Sequence, residues 1–161
     1  MRPRPAVPED APAIARIYNQ GIEERIATFE TRPRSAEEIR PWFGGRHPVV
    51  VVEDGGVVAF AATSDYRPRE CYRGVAEFSV YADRRARGRG AGRAAMEALI
   101  GAAERAGFWK LVSRVFVENA PSRRLLRSVG FREVGVYEKH ARLDGAWRDV
   151  VIVERLIHPN L

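Results

Sequence analysis

Three short stretches of this chain hold residue types whose spacing could do chemistry. Arg87-Gly88-Arg89-Gly90-Ala91-Gly92 stands directly before a long alanine-rich segment. Glycines there let several backbone N–H groups converge on one concavity at the start of a helix, an arrangement that takes phosphate. Arg84, Arg85, Arg87, Arg89 and Arg93 would add full positive charges. The plain alternative is a basic turn joining a strand to a helix. A dinucleotide fingerprint fits less well, because it belongs to the first strand–helix unit and wants an acidic residue at the end of the next strand. Glu77 is the second feature. Between Gly74 and Ala82 the pattern is that of a strand, with Val75, Glu77, Ser79 and Tyr81 on one face and Ala76, Phe78, Val80 and Ala82 on the other. A carboxylate partly withdrawn from water is a better base near neutral pH, so Glu77 is the candidate general base; the alternative is an exposed or arginine-paired glutamate. Third, Arg67 and Arg69 lie two apart near a strand end, where both can turn to one side and grip an anion; the alternative is a solvated loop.

Other candidates carry less. Cys71 with His140 would make a nucleophile pair, but a lone cysteine beside Tyr72 is more often a small packed residue. His47, His140 and His158 have no metal-ligand spacing, and one cysteine makes no internal disulfide, so no metal is expected.

The elements that must position these residues are legible from periodicity and turn chemistry. A short strand, Arg2 to Val7, precedes a helix carrying Ile14, Ile17, Tyr18, Gly21 and Ile22 at helical spacing. Ser35 and Glu38 form a capping-box pattern that opens a second, short helix through Ile39, Trp42 and Phe43. Val49–Val52 and Val57–Ala62 flank an Asp54-Gly55 turn and read as a hairpin. The strand with Glu77 follows, then a helix from Ala91 to Ala106 closed by Gly107, a strand from Leu111 to Val117 and a short helix from Pro121 to Ser128. The last pair of strands covers Phe131 to His140 and Ala146 to Leu156, about an Asp144-Gly145 turn. The expected order is β-α-α-β-β-β-α-β-α-β-β, a single α/β domain over residues 1–161 with a mixed, mostly antiparallel twisted sheet flanked by helices.

Composition sets the outer limits. The chain is 161 residues long, 45% apolar and 30% charged, which is enough core-forming side chain for one globular unit and argues against disorder. Its longest apolar run, Val49 to Ala62, is broken by Glu53, Asp54 and two glycines, so no membrane span is expected. The first residues have charge but no apolar segment behind them, and a cytoplasmic location is the default expectation. Of 27 basic residues only Lys110 and Lys139 are lysines, leaving 25 arginines behind a net charge of +6. Such a balance suits a nucleic acid or a phosphate-bearing cofactor. Few aromatics flank the arginine-rich loop, and nucleic acid is not the expected partner.

Taken together, Phe78-Ser79-Val80-Tyr81-Ala82-Asp83, the glycine loop, Glu118-Asn119-Ala120-Pro121-Ser122 and Val129-Gly130-Phe131 resemble the acetyl-CoA core of the GCN5-related N-acetyltransferases. Ile17-Tyr18-Asn19, Ala27-Thr28-Phe29-Glu30-Thr31, Tyr66-Arg67-Pro68-Arg69, Glu77 and Gly145-Ala146-Trp147-Arg148-Asp149-Val150 extend the likeness to the branch acting on phosphinothricin, methionine sulfoximine and arsinothricin. The resemblance implies an acetyl-CoA-dependent enzyme in which Glu77 is the catalytic glutamate. It also implies that Val80, Tyr81 and Ala82 bind the cofactor through their backbone, with Arg87, Gly88, Arg89, Gly90, Ala91 and Gly92 around its pyrophosphate. Asn119 matches the asparagine that holds the pantetheine arm, although it equally suits a helix cap. Arg67 and Arg69 match the pair that recognises the acidic end of the amino acid, with Phe29 and Tyr72 as apolar walls, and the family pattern implies a homodimer. Two positions depart from it. Leu126 stands where the superfamily often has a tyrosine, or this branch a histidine, and leucine cannot protonate a departing thiolate; Leu143 stands where lysine is common. Tyr81, Tyr137, His140 or water would then have to supply that proton.

Overall fold

Valines at four successive positions, Val49 to Val52, are all buried, and such a run is what a strand covered on both faces requires. A computed structural model describes residues 1–161 and shows what covers them. In chain order the elements are β1 (Arg2–Pro5), α1 (Ala11–Glu24), α2 (Ala36–Ile39), β2 (Val49–Glu53), β3 (Val57–Asp65) and β4 (Val75–Ala82). They continue with α3 (Ala91–Arg105), β5 (Lys110–Phe116), α4 (Ala120–Ser128), β6 (Arg132–Leu143) and β7 (Ala146–Leu156). The order matches the expected one, and the seven strands form one sheet in the order β1-β2-β3-β4-β5-β7-β6. Every pairing is antiparallel except β4 with β5. No helix is long and apolar enough to cross a membrane.

Alternation sorts the two faces. Val49, Val51, Phe60 and Ala62 join Ile14, Ile17 and Ile39 on the side covered by α1 and α2. Val50, Val52, Ala59 and Ala61 join Ala95, Met96, Leu99 and Leu126 on the side covered by α3 and α4. Ser35 caps α2 as its sequence demands: the Glu38 N–H donates to Ser35 Oγ at 3.3 Å, and the Ser35 N–H donates to Glu38 Oε1 at 3.3 Å. The α-helix after it is shorter than the amphipathic pattern suggests, because Pro41 turns Arg40–Trp42 into a single 3-10 turn. In β6 the strand passes the expected end at His140. A bulge between Tyr137 and Ala141, with Lys139 at φ +48° and its N–H donating to Asp149 Oδ1 at 2.7 Å, lets pairing resume to Leu143.

The entry to β4 is fixed by a close approach. Gly74 donates nothing to shape, yet its carbonyl accepts the Trp109 N–H at 2.8 Å, and a Cβ built on it would fall 1.9 Å from the Trp109 ring. Gly74→Ala is therefore expected to cost about 2 kcal/mol by overpacking, read as a lower urea midpoint. An unchanged midpoint would mean that the Trp109 ring can move aside freely.

Candidate functional site

The parallel pair β4–β5 stops early. Its register runs only from Val75 opposite Lys110 to Glu77 opposite Val112, and the rest of β4, from Phe78 to Ala82, has no partner on that side. The first carbonyl past the fork, that of Phe78, accepts the Ser113 hydroxyl at 2.8 Å, and beyond it the strands splay. This opening is the site. It holds two cavities of about 530 and 590 Å3 that share Ala27, Val80, Tyr81, Asn119 and Ser122, so they form one cleft through the sheet edge.

The first cavity is lined from both sides of the sheet, by Tyr18 and Trp42 from one and Leu126 from the other. Glu77 at the fork, Phe29, Tyr18, Trp42, Ser64, Arg114 and Leu126 are among its walls. Phe29 stands edge-on to Phe116 at 4.7 Å, which fixes its ring against the sheet. Glu77 is 32% exposed and is paired: Nη2 of Arg114 lies 3.3 and 3.4 Å from its two oxygens. The carboxylate is thus held by a charge as well as drawn partly out of water. Tyr81 is packed between Tyr18 and Phe60, at 5.2 and 5.4 Å between ring centroids, and burial pushes its phenol well above the ordinary tyrosine value. Leu126 is buried in the larger core and presents only apolar surface, so no side-chain proton donor occupies that position.

The second cavity runs from Val80, Tyr81 and Ala82 to the glycine loop. Arg87, Gly88, Gly90, Ala91 and Gly92 line it, and Arg89 does not. Gly90 is the N-cap of α3 at φ +85°, a left-handed conformation that a glycine adopts without strain, and no side chain caps the first turn. The orphan N–H groups at that helix end remain available to an anion. One expectation needs correction. The five arginines around the loop do not offer bare charge, because each faces a carboxylate: Arg84 to Glu23 and Arg93 to Glu97 at 2.8 Å, Arg85 to Asp83 at 3.3 Å, Arg87 to Glu24 at 2.5 Å and Arg89 to Asp54 at 3.8 Å. What the loop leaves without a partner is the backbone at the start of α3. Arg124, on α4, lines the same cavity without an ion-pair partner and was not singled out by sequence.

Asn119 caps α4, its Oδ1 accepting the Ser122 N–H at 3.3 Å while its Nδ2 donates to the Ile26 carbonyl at 3.3 Å. Capping thus explains the residue locally, and it still faces both cavities. Arg67 and Arg69 are exposed on the loop between β3 and β4, outside the lining of either cavity; Tyr72, half-buried and edge-on to Tyr66 at 5.4 Å, also lines neither cavity. Tyr66, whose ring lies 5.0 Å from the Arg67 guanidinium, is the first cause that pushes this group up from its ordinary value. Cys71 is exposed on the same loop and lines neither cavity. Of the possible proton donors only Tyr81 lines the cleft. Sequence reasoning missed Arg114, although a charge within Leu111-Val112-Ser113-Arg114-Val115-Phe116 is the same kind of signal that singled out Glu77.

Known proteins share this fold and much of the sequence. An L-methionine sulfoximine/L-methionine sulfone acetyltransferase of Pseudomonas paraeruginosa is 32% identical over 157 residues, covering 94% of this chain and 91% of its own. The crystal structure of a ribosomal-protein-alanine N-acetyltransferase from Brucella melitensis superposes with a TM-score of 0.92 at 32% identity, covering 98% of this chain and 100% of its own. A phosphinothricin acetyltransferase from Sinorhizobium meliloti, solved in complex with acetyl-CoA, gives a TM-score of 0.89 at 30% identity over 96% of this chain and 87% of its own. The family model for the acetyltransferase (GNAT) family matches residues 14–131, and with the splayed β4–β5 cleft ahead of an uncapped helix this places the chain in that family, as an N-acetyltransferase.

Proposed function

We propose that this enzyme transfers an acetyl group from acetyl-CoA to the α-amine of a small acidic amino acid analogue of the phosphinothricin, methionine sulfoximine or arsinothricin type, in a detoxifying role. The observation that carries this reading is the cleft itself, in which the carboxylate of Glu77 faces a cavity joined through Val80 and Tyr81 to the uncapped start of α3. Acetyl-CoA supplies the thioester. The residues present fit it: the loop from Arg87 to Gly92 and the free N–H groups of α3 would take its pyrophosphate, and the unpaired edge of β4 at Val80, Tyr81 and Ala82 its pantetheine arm. Glu77 would take a proton from the incoming ammonium group, leaving the amine nucleophilic. The exposed Val134, Val136, Tyr137 and Trp147 on the β6–β7 hairpin support a homodimer.

Arg67 and Arg69 would grip the side-chain acid group from the cavity rim. Replacing both, Arg67→Ala with Arg69→Ala, is expected to raise KM for L-phosphinothricin at least about 100-fold, the scale of two lost charge-assisted hydrogen bonds. L-methionine sulfone, whose side chain is uncharged, should lose far less. Thiol release from acetyl-CoA measures both, and equal KM values in parent and variant would remove the two arginines from the site. The likeness to a ribosomal-protein-alanine acetyltransferase favours a second reading, acetylation of a protein N-terminus. An alanine-ended peptide turned over faster than every amino acid in the same assay would establish that reading instead.

A further inference from the structure

Arg114 is the one cationic side chain lining the first cavity, where the other formally charged groups are the carboxylates of Glu30 and Glu77. It touches Glu77 through Nη2 alone, at 3.3 and 3.4 Å, and its Nε and Nη1 groups have no hydrogen-bond partner in the protein. Glu30 is already engaged, by Arg34 at 2.8 Å. Arg114 stands on β5 just past the point where β4 and β5 separate and lines the opening, and none of its remaining donors bonds to a neighbouring strand. Two carboxylates suit an incoming ammonium group but repel an acid group bound to the same molecule, and only Arg114 can offset that repulsion inside the cavity.

We infer that the free edge of Arg114 binds the α-carboxylate of the amino acid substrate. This rests on the amino acid reading above and assigns its recognition. The α-carboxylate is one carbon from the carbon that bears the reacting amine. A guanidinium bonded to that carboxylate on one edge and to Glu77 on the other delivers the amine beside the base. Arg114 is then a binding and positioning residue. Arg67 and Arg69, on the outer loop, are left for the side-chain acid, so the two ends of a doubly anionic amino acid are read by separate arginines.

The test compares kcat/KM for L-methionine sulfone with that for its decarboxylated amine, in the parent enzyme and in Arg114→Gln and Arg114→Lys. The parent should prefer the amino acid. That preference should fall at least about tenfold in Arg114→Gln, the scale of one lost charged hydrogen bond, and recover in part in Arg114→Lys. Calorimetric binding of acetyl-CoA, expected at parental affinity, verifies that each variant is folded. A preference that survives in Arg114→Gln, or a variant that loses both substrates in equal proportion, would overturn the assignment and reduce Arg114 to a prop for Glu77. A parent enzyme with no preference for the carboxylated substrate would instead defeat the amino acid reading, and this assignment with it.

Discussion

Glu77→Gln is expected to lower kcat by about 10²- to 10⁴-fold at neutral pH, the usual contribution of a positioned general base, while acetyl-CoA binds as tightly as before. The side chains differ only in one terminal atom, so the cavity keeps its shape. Glu77 lines the first cavity and not the second, which is why cofactor affinity should not follow activity down. Arg114, 49% exposed, can be hydrated when its partner is gone, so the fold should persist. Glu30 is the other carboxylate in the cavity, but it is already paired with Arg34 on the α1–α2 connection. Glu30→Gln should therefore leave most of the turnover intact. Full activity in Glu77→Gln would show that the amine reaches the thioester already deprotonated or through another base. Calorimetry with acetyl-CoA beside steady-state thiol release separates these cases.

How much of this site was open to sequence reading depends on whether the information was local. The continuous apolar runs of β2 and β3, whose residues alternate between the two faces, the reciprocal cap between Ser35 and Glu38 and the run of small residues along α3 are all decided by neighbours within a few positions. Those elements came out of the pattern with small errors at their ends. Glu77 was legible too, as a charge within an apolar strand. Its partner was not, because the contact between Glu77 and Arg114 exists only through the parallel pairing of strands separated by α3. The splay is a similar case. Nothing in β4 alone says that its ladder ends at Glu77, since Phe78 to Ala82 is as good a strand sequence as Val75 to Glu77. Charge misled most at the glycine loop. Five arginines there read as a phosphate trap, but Glu23, Glu24, Asp54 and Glu97 lie outside the loop segment, and with Asp83 they neutralise it in three dimensions. Such exposed pairs contribute little to stability individually.

Asp83 is the exception among these pairs, and its replacement should have the largest effect on stability. The side chain is 3% exposed and sits where β4 hands over to the glycine loop. It accepts from Arg16 of α1, from the Arg85 backbone N–H at 2.9 Å and from the Arg85 guanidinium at 3.3 Å, while its own backbone N–H donates to the Val58 carbonyl at 2.8 Å. The Arg85 side chain above all, then its backbone N–H and Arg16, hold the Asp83 carboxyl far below the ordinary carboxylate value of 3.8 despite burial. Replacing it costs about 3 kcal/mol, because the buried oxygens lose charge-assisted and backbone hydrogen bonds and an amide N–H2 would face donors instead; the Arg16 and Arg85 guanidiniums are exposed and can be hydrated. In a chain of this size that corresponds to a fall of roughly 6–12 °C in Tm for Asp83→Asn at pH 7. The sign with pH follows from the depressed value. The stabilisation is complete above the unfolded carboxyl's titration near 3.8 and is lost as pH falls through that value toward the folded one. Asp10, Glu24, Glu133 and Glu154 are likewise held low by arginine or lysine partners, so both proteins should weaken in acid. The difference between them isolates Asp83: thermal melts at pH 7, 5 and 3 should show a Tm gap that is wide at the first two and narrows at the third. A gap that held constant to pH 3 would mean that Asp83 acts through its hydrogen-bonding shape, which asparagine lacks, and not through its charge. Because Asp83 pins the loop to α1, the folded variant should also bind acetyl-CoA more weakly at pH 7, tying the stability of that handover to the placement of the anion-binding backbone.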